Sequence, residues 1–112
     1  MTDTNVVTVI GRLTKNAELK QTPGFAVGFF TIATNRKKKN QDNTYTEEAS
    51  FFDVNIYGKY AETMTGRLKR GELVCVVGSL KQERWQDNTG KSRTRVLITA
   101  DSVQIFGGKN AQ

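Results

Sequence analysis

The stretch that decides the fold is Ser50-Phe51-Phe52-Asp53-Val54-Asn55-Ile56-Tyr57-Gly58. Successive side chains of a strand point to opposite faces, so Phe52, Val54 and Ile56 share one face and Phe51, Asp53, Asn55 and Tyr57 the other. The first set reads as a core face. The second is polar between two large aromatics, which is unusual for a half-buried strand. A flat ring on a wet, basic sheet is a platform on which unpaired bases can stack.

Working back toward the N-terminus, Arg36-Lys37-Lys38-Lys39 and the turn-prone Asn40-Gln41-Asp42-Asn43 join this strand to the one before it through a long, basic hairpin arm. A cationic run at a loop tip is ordinarily just solvated. Beside exposed aromatics it gains a reading as a phosphate contact. The preceding strand, Phe25 to Thr34, places Phe30 and Ile32 on one side and Val27, Phe29 and Thr31 on the other. Both sides are apolar enough to be covered, and Phe29 reads as packing or a subunit contact. Thr14 to Gly24 is polar and ends in the turn Thr22-Pro23-Gly24. Asn5 to Leu13 is β-branched and reads as a strand, with Val7, Val9 and Gly11 on one face and Val6, Thr8 and Ile10 on the other. Gly11 inside it suggests a bulge or sharp coil.

Beyond the central strand the period changes. Tyr60, Met64 and Leu68, with Ala61 beside them, form one apolar stripe of a helix over Lys59 to Arg70, weakened by Thr63, Thr65 and Gly66 and stopped by Gly71. Leu73 to Trp85 returns to strand character. Val74, Val76 and Leu80 lie on one face, and Leu73, Cys75 and Val77 make the opposite face apolar as well, which suggests a neighbouring subunit. Asp87-Asn88-Thr89-Gly90 is a hairpin turn, and Ser92 to Phe106 supplies the last strand with Val96 and Ile98 on one side. Five strands with a helix between the third and fourth is the succession of an oligonucleotide-binding barrel, the OB-fold, an all-β class. The barrel is expected over 1–106, with 107–112 a flexible C-terminal end.

Composition narrows the function. At 112 residues the chain fits one domain. Lys+Arg 17 against Asp+Glu 11 gives a net charge of +6, which favours a polyanionic partner. No apolar run is long enough to span a bilayer and no basic segment precedes an apolar one at the N-terminus, so a soluble, unexported protein is expected. Cys75 is the one cysteine, so there is no internal disulfide, and it reads as a small buried hydrophobe. The sequence contains no histidine, which removes the commonest general base and zinc ligand. No cofactor and no metal site is expected, and the protein does not read as an enzyme. The enzymatic alternative, a metal-dependent nuclease using Asp53 with Glu47 and Glu48, lacks a third partner at a telling spacing.

The motifs become specific when taken together. Asn5 to Leu13, Phe30-Thr31-Ile32-Ala33-Thr34-Asn35, Phe51 to Lys59, Gly78-Ser79-Leu80 through Gly90, and Ala100 to Phe106 stand in an order and spacing that resembles the bacterial and organellar single-stranded DNA-binding protein family. The resemblance runs from about Asn5 to Phe106. It implies an OB-fold, usually a homotetramer, that wraps unpaired DNA without sequence preference in replication, recombination and repair, with replication and repair proteins as further partners. It implies a cytoplasmic, nucleoid-associated protein or one of an organellar matrix. Carried over by position, Phe51, Tyr57 and Trp85 fall where the family has base-stacking aromatics, and Lys59, Arg70, Lys81 and Arg84 where it often has basic residues. With Arg36, Lys37 and Lys38 of the arm, these cations are the expected phosphate contacts.

Three departures accompany it. Lys38 stands where some members carry a stacking aromatic, and Glu83 where Arg is common. The third is the family's Gly/Pro/Gln-rich linker and acidic tip, which do not follow Gln112, so that a shortened chain and a tail-less relative are both open. The implied mechanism has two parts. Cations displace counterions from phosphates, giving an affinity that falls with salt. Rings stack on bases at about 1 to 3 kcal/mol each, discriminating against a duplex whose bases are already stacked. RNA remains open as a ligand, and so does an assembly module whose main partner is a helicase or primosome component.

Overall fold

The segment around Phe51 lies in a strand that runs well past it in both directions. The computed structural model describes residues 2–106, so the expected flexible end at 107–112 lies outside the described residues. The elements are β1 (Val7–Leu13), β2 (Glu18–Thr22), β3 (Phe25–Lys39), β4 (Tyr45–Tyr57), helix α1 (Gly58–Met64), a 3₁₀ turn over Thr65–Arg67, β5 (Leu73–Gln86) and β6 (Ser92–Ile105). No helix among the described residues is long and apolar enough to cross a membrane.

The sheet order is β1-β5-β6-β4-β3-β2, and a further pairing of β1 with β3 closes it. Arg12 and Leu13 meet Ala33 and Ile32, and a little farther along β3 the strand β2 takes over, from Glu18 opposite Phe29 to Thr22 opposite Phe25. β1 and β2 thus follow one another along β3 as two pieces of one barrel strand. The result is the five-stranded OB-fold, with its helix between the third and fourth of those strands. Within Thr14 to Gly24, polar in sequence and ending in a turn, five residues form the edge strand β2, bonded to β3 along the backbone while most of its side chains stay in water.

Closure depends on Gly11. A Cβ there would lie 2.7 Å from the carbonyl oxygen of Ala33, so a side chain would push β1 off β3 where the barrel shuts. Inside sit Ile32, Val54, Ile56, Leu68, Val74 and Val76, all fully buried. Each such side chain stabilises the fold by about 1.5–3 kcal/mol relative to exposure. The helical stripe delivers Ala61, Met64 and Leu68 to this core as its period predicts. Regular α-helix ends at Met64 rather than Arg70. The Thr65 hydroxyl bonds back to the Ala61 carbonyl at 2.5 Å, Gly66 follows, and Leu68 is already extended.

Three side chains with core parity are exposed. Phe52 is 39 % exposed, Leu80 49 % and Val96 57 %. For Phe52 and Val96 the cause is common: β4 and β6 pair in parallel only at Val54–Ile98 and Asn55–Thr99, and past that point the β3–β4 and β5–β6 ladders leave the barrel as two hairpin arms with no layer across their inner faces among the described residues. Leu80 opposes Ile98 and stands two residues past Gly78, where the pairing of β5 with β1 stops. Phe29 is 38 % exposed, on the side of β3 that borders an open groove.

Candidate nucleic-acid interface

The outer face of β3 and β4 is read directly from the register. Phe29 opposes Asn55, Thr31 opposes Asp53, Ala33 opposes Phe51, Lys37 opposes Glu47 and Lys39 opposes Tyr45. Cross-strand partners share a face, so Phe51 and Lys37 lie on one surface with Asp53 and Tyr57. Phe51 is 63 % exposed, and Ala33 across the ladder is too small to cover its ring. Tyr57 lies six residues along the same face, about 20 Å away at strand rise. It is half-buried, its ring centroid lies 6.4 Å from that of Phe25, and its hydroxyl accepts a hydrogen bond from the Asn55 amide at 3.3 Å.

Between the two rings the face sinks into a groove of about 340 Å³. Phe29, Thr31, Asp53 and Asn55 form its floor, Lys15 and Lys20 come from the β1–β2 segment, and Arg95 reaches in from β6. The floor is fixed by a 2.8 Å bond from the Thr31 hydroxyl to Asp53 Oδ1. Arg95 connects the two hairpins, with Nη1 3.6 Å from Asp53 Oδ2 and Nε 3.1 Å from Glu83 Oε1.

The β5–β6 hairpin carries the third aromatic. Trp85 opposes Arg93, Glu83 opposes Arg95 and Lys81 opposes Leu97, so Trp85, Arg93 and Lys81 share the face that Arg95 turns toward the groove. Trp85 is 47 % exposed. The tip beyond it is rigidly built. Asp87 accepts the N–H and hydroxyl of Thr89, the N–H of Lys91, and the Nε–H of Arg93 at 2.9 Å. The Thr89 hydroxyl, then the Arg93 guanidinium, hold the Asp87 carboxyl well below its ordinary value, at about 2. At the other arm, Asp42 is lowered in the same way by the hydroxyl and N–H of Thr44.

The sequence-predicted residues therefore divide. Phe51, Tyr57 and Lys37 share the face of β4 and β3 that carries Asp53 and Asn55 of the groove floor, and Trp85 and Lys81 share the face of β5 and β6 that carries Arg95, though none of the five lines the groove itself. Arg36 and Lys38 lie on the opposite face of their arm, where Lys38 Nζ is 3.8 Å from Glu48, and Arg84 lies opposite to Trp85 with its Nε bonded to Gln82 at 2.9 Å. Lys59 is exposed at the start of α1, and Arg70 is tied through its N–H to Asn16 on the groove wall. Lys15, Lys20, Lys39, Tyr45, Arg93 and Arg95 escaped sequence reasoning. For four of them a signal existed: Lys39 and Tyr45 have the parity of Lys37 and Phe51, and Arg93 and Arg95 alternate along one face of the last strand. Lys15 and Lys20 reach the groove only through the bend between β1 and β2.

Asp53, Glu47 and Glu48 do not form a metal cluster. Glu47 and Glu48 are adjacent on a strand and face opposite ways, and Asp53 is engaged by Thr31 and Arg95. No group of three potential metal ligands is gathered among the described residues.

The closed five-stranded barrel with one short helix is an OB-fold, with a cation-bearing groove on one face. Comparison with known proteins is more specific. The model of the single-strand binding protein family matches residues 4–106. The single-stranded DNA-binding protein of Helicobacter pylori is 43% identical over 107 residues, covering 95% of this chain and 60% of that protein. That of Aquifex aeolicus is 44% identical over 103 residues, covering 91% and 69%. Among solved structures, Plasmodium falciparum SSB in complex with ssDNA superposes with a TM-score of 0.84 at 20% identity, covering 94% of this chain and 97% of that one, and so shares the fold. A deletion mutant of the single-stranded DNA binding protein from Thermus aquaticus gives 0.84 at 25% identity, covering 96% and 52%. The chain belongs to the single-strand binding protein family. It spans 60% of the length of the Helicobacter pylori and Treponema pallidum relatives it matches.

Proposed function

We propose that the protein binds single-stranded DNA without sequence preference, coating and protecting it in replication, recombination and repair, and that it does so by binding alone, without catalysis. The observation that carries this reading is the open ring of Phe51 on the same face as Lys37 and the groove that Arg95 enters. Phe51, Tyr57 and Trp85 stack on bases, each contributing about 1–3 kcal/mol, while Lys37, Lys81 and the arm cations Arg36 and Lys38 displace counterions from phosphates. Lys59, Arg70 and Arg84 act as outlying phosphate contacts. Neither part reads base identity, and stacking excludes a duplex, in which ring faces are hidden. The names of the Helicobacter pylori and Aquifex aeolicus relatives agree with this reading.

Assembly into a homo-oligomer, a tetramer, belongs to the same proposal. Ile10 on β1 and Val6 just before that strand stand exposed, and Ile10 pairs with Cys75 near Val77 on β5, which makes an apolar strip. Along that strip β1 meets β3 only at Arg12 and Leu13, so the edge before them is open to another copy. We place the protein in the cytoplasm with the nucleoid, where unpaired DNA arises.

The test is a titration of Trp85 fluorescence with oligo-dT, duplex DNA and oligo-A RNA over a salt series, with light scattering to give the oligomeric state. Quenching by oligo-dT with weak duplex binding is expected. With about five phosphates neutralised, the log–log salt slope is near −3.5. Equal affinity for duplex, or no quenching by oligo-dT, refutes the stacking mechanism.

A further inference from the structure

Arg95 sits in the groove with two carboxylates on it. Glu83, from the neighbouring strand of its own hairpin, accepts its Nε–H at 3.1 Å, and Asp53 of β4 lies 3.6 Å from Nη1. Asp53 is itself held, because the Thr31 hydroxyl occupies its other oxygen at 2.8 Å. Asp53 and Glu18 line the groove among Lys15, Lys20 and Arg95, and Glu83 holds Arg95 from beside it; carboxylates there are the wrong sign for a phosphate path and demand an account.

We propose that Arg95 is a phosphate ligand kept in reserve by Asp53 and Glu83, and that a phosphate of the bound strand displaces these carboxylates to take it. The inference rests on the reading that the groove binds single-stranded DNA. The side chains of Arg95 and Asp53 are about half exposed and that of Glu83 a third, so solvent screens both ion pairs and they contribute little to stability. A contact this weak is displaceable. Its geometry also leaves the guanidinium unsaturated. Of five N–H donors, only the Nε–H is at hydrogen-bond distance from a carboxylate, and Nη2 carries no ion pair among the described residues. The planar fork suits two oxygens of a phosphate better than the one long contact it makes to Asp53.

Exchange has a cost that sets affinity. When Arg95 turns to phosphate, Glu83 and Asp53 lose their counterion and lie beside a polyanion. The protein therefore holds DNA less tightly than its net charge allows, and releases it more readily. Glu83 acts as a positioning residue, since it touches Arg95 and not the strand.

The experiment measures oligo-dT affinity over a salt series for the whole chain and three variants, each checked by thermal unfolding. Glu83→Gln is compared with Glu62→Gln, which removes the same charge from the exposed face of α1. Glu83→Gln is expected to tighten binding about threefold more than Glu62→Gln, the effect of one screened charge acting at groove distance. Arg95→Gln is expected to weaken binding and to lower the salt slope by about 0.7, one phosphate contact. Equal effects of Glu83→Gln and Glu62→Gln, or an unchanged slope in Arg95→Gln, overturn the reserve and leave Arg95 a brace between hairpins. Failure of the unaltered protein to bind oligo-dT overturns the parent reading and this one together.

Discussion

Replacing Phe51 by Ala removes a ring while leaving every charge in place. Phe51 is 63 % exposed, stands opposite Ala33, and lies outside the core cluster. Folding therefore loses little, and the thermal midpoint should move by only a few degrees. Binding loses a stacking platform of about 1–3 kcal/mol, a factor of about 5 to 150 in the dissociation constant. The open face across from Ala33 favours the upper half of that range, since no neighbouring ring substitutes for it. Trp85 is untouched, so its quenching by oligo-dT still reports the titration. Because no cation is lost, the log–log salt slope should match that of the unaltered protein, and the curves should be parallel. Phe51→Tyr keeps the ring and should bind normally. A loss under about twofold, or a loss that arrives with a shallower slope, refutes the assignment of Phe51 to stacking.

Further outcomes follow from single contacts. Lys37→Ala should lower the salt slope by about 0.7, whereas Lys38→Ala, on the opposite face and 3.8 Å from Glu48, should lower it less; equal changes would count against the facing of the arm. Gly78→Ala should cost about 3 kcal/mol or more in urea unfolding, because its Cβ would lie 2.0 Å from the backbone oxygen of Thr99. Gly66→Ala, with nothing within 4 Å, should instead stabilise by about 0.4–1 kcal/mol. Asp87 is depressed in the folded state from 3.8 to about 2, so its contribution is complete above the ordinary value and is lost as pH falls through about 2. A carboxyl titration by NMR should show that midpoint, and Arg93→Ala should raise it without returning it fully, since the larger contribution from Thr89 remains.

Much of the site was legible because strands carry a two-residue period. Phe51, Asp53, Asn55 and Tyr57 alternate with Val54 and Ile56 in the sequence and face the other way in the barrel, although Asn55 is buried rather than wet. Turn chemistry was equally plain at Asp42 and Asp87, whose side chains bond the backbone two residues on. Burial was harder to read. Phe52 and Val96 have the parity of core residues, and nothing local tells them that the barrel has ended and an arm begun. Arg84 was harder still, since a charged neighbour of Trp85 invites a shared role, yet adjacent residues on a strand face opposite ways.

Alternation, turn residues and the helical stripe, all properties of the nearest few residues, were sufficient to specify five strands, one helix and the ring-bearing face. Where β4 parts from β6, which arm face meets the groove, and the meeting of Arg95 with Asp53 and Glu83 were decided only by tertiary structure. Arg95 and Asp53 lie on strands brought together by barrel closure, and a contact made by closure leaves no periodic trace in the chain that forms it.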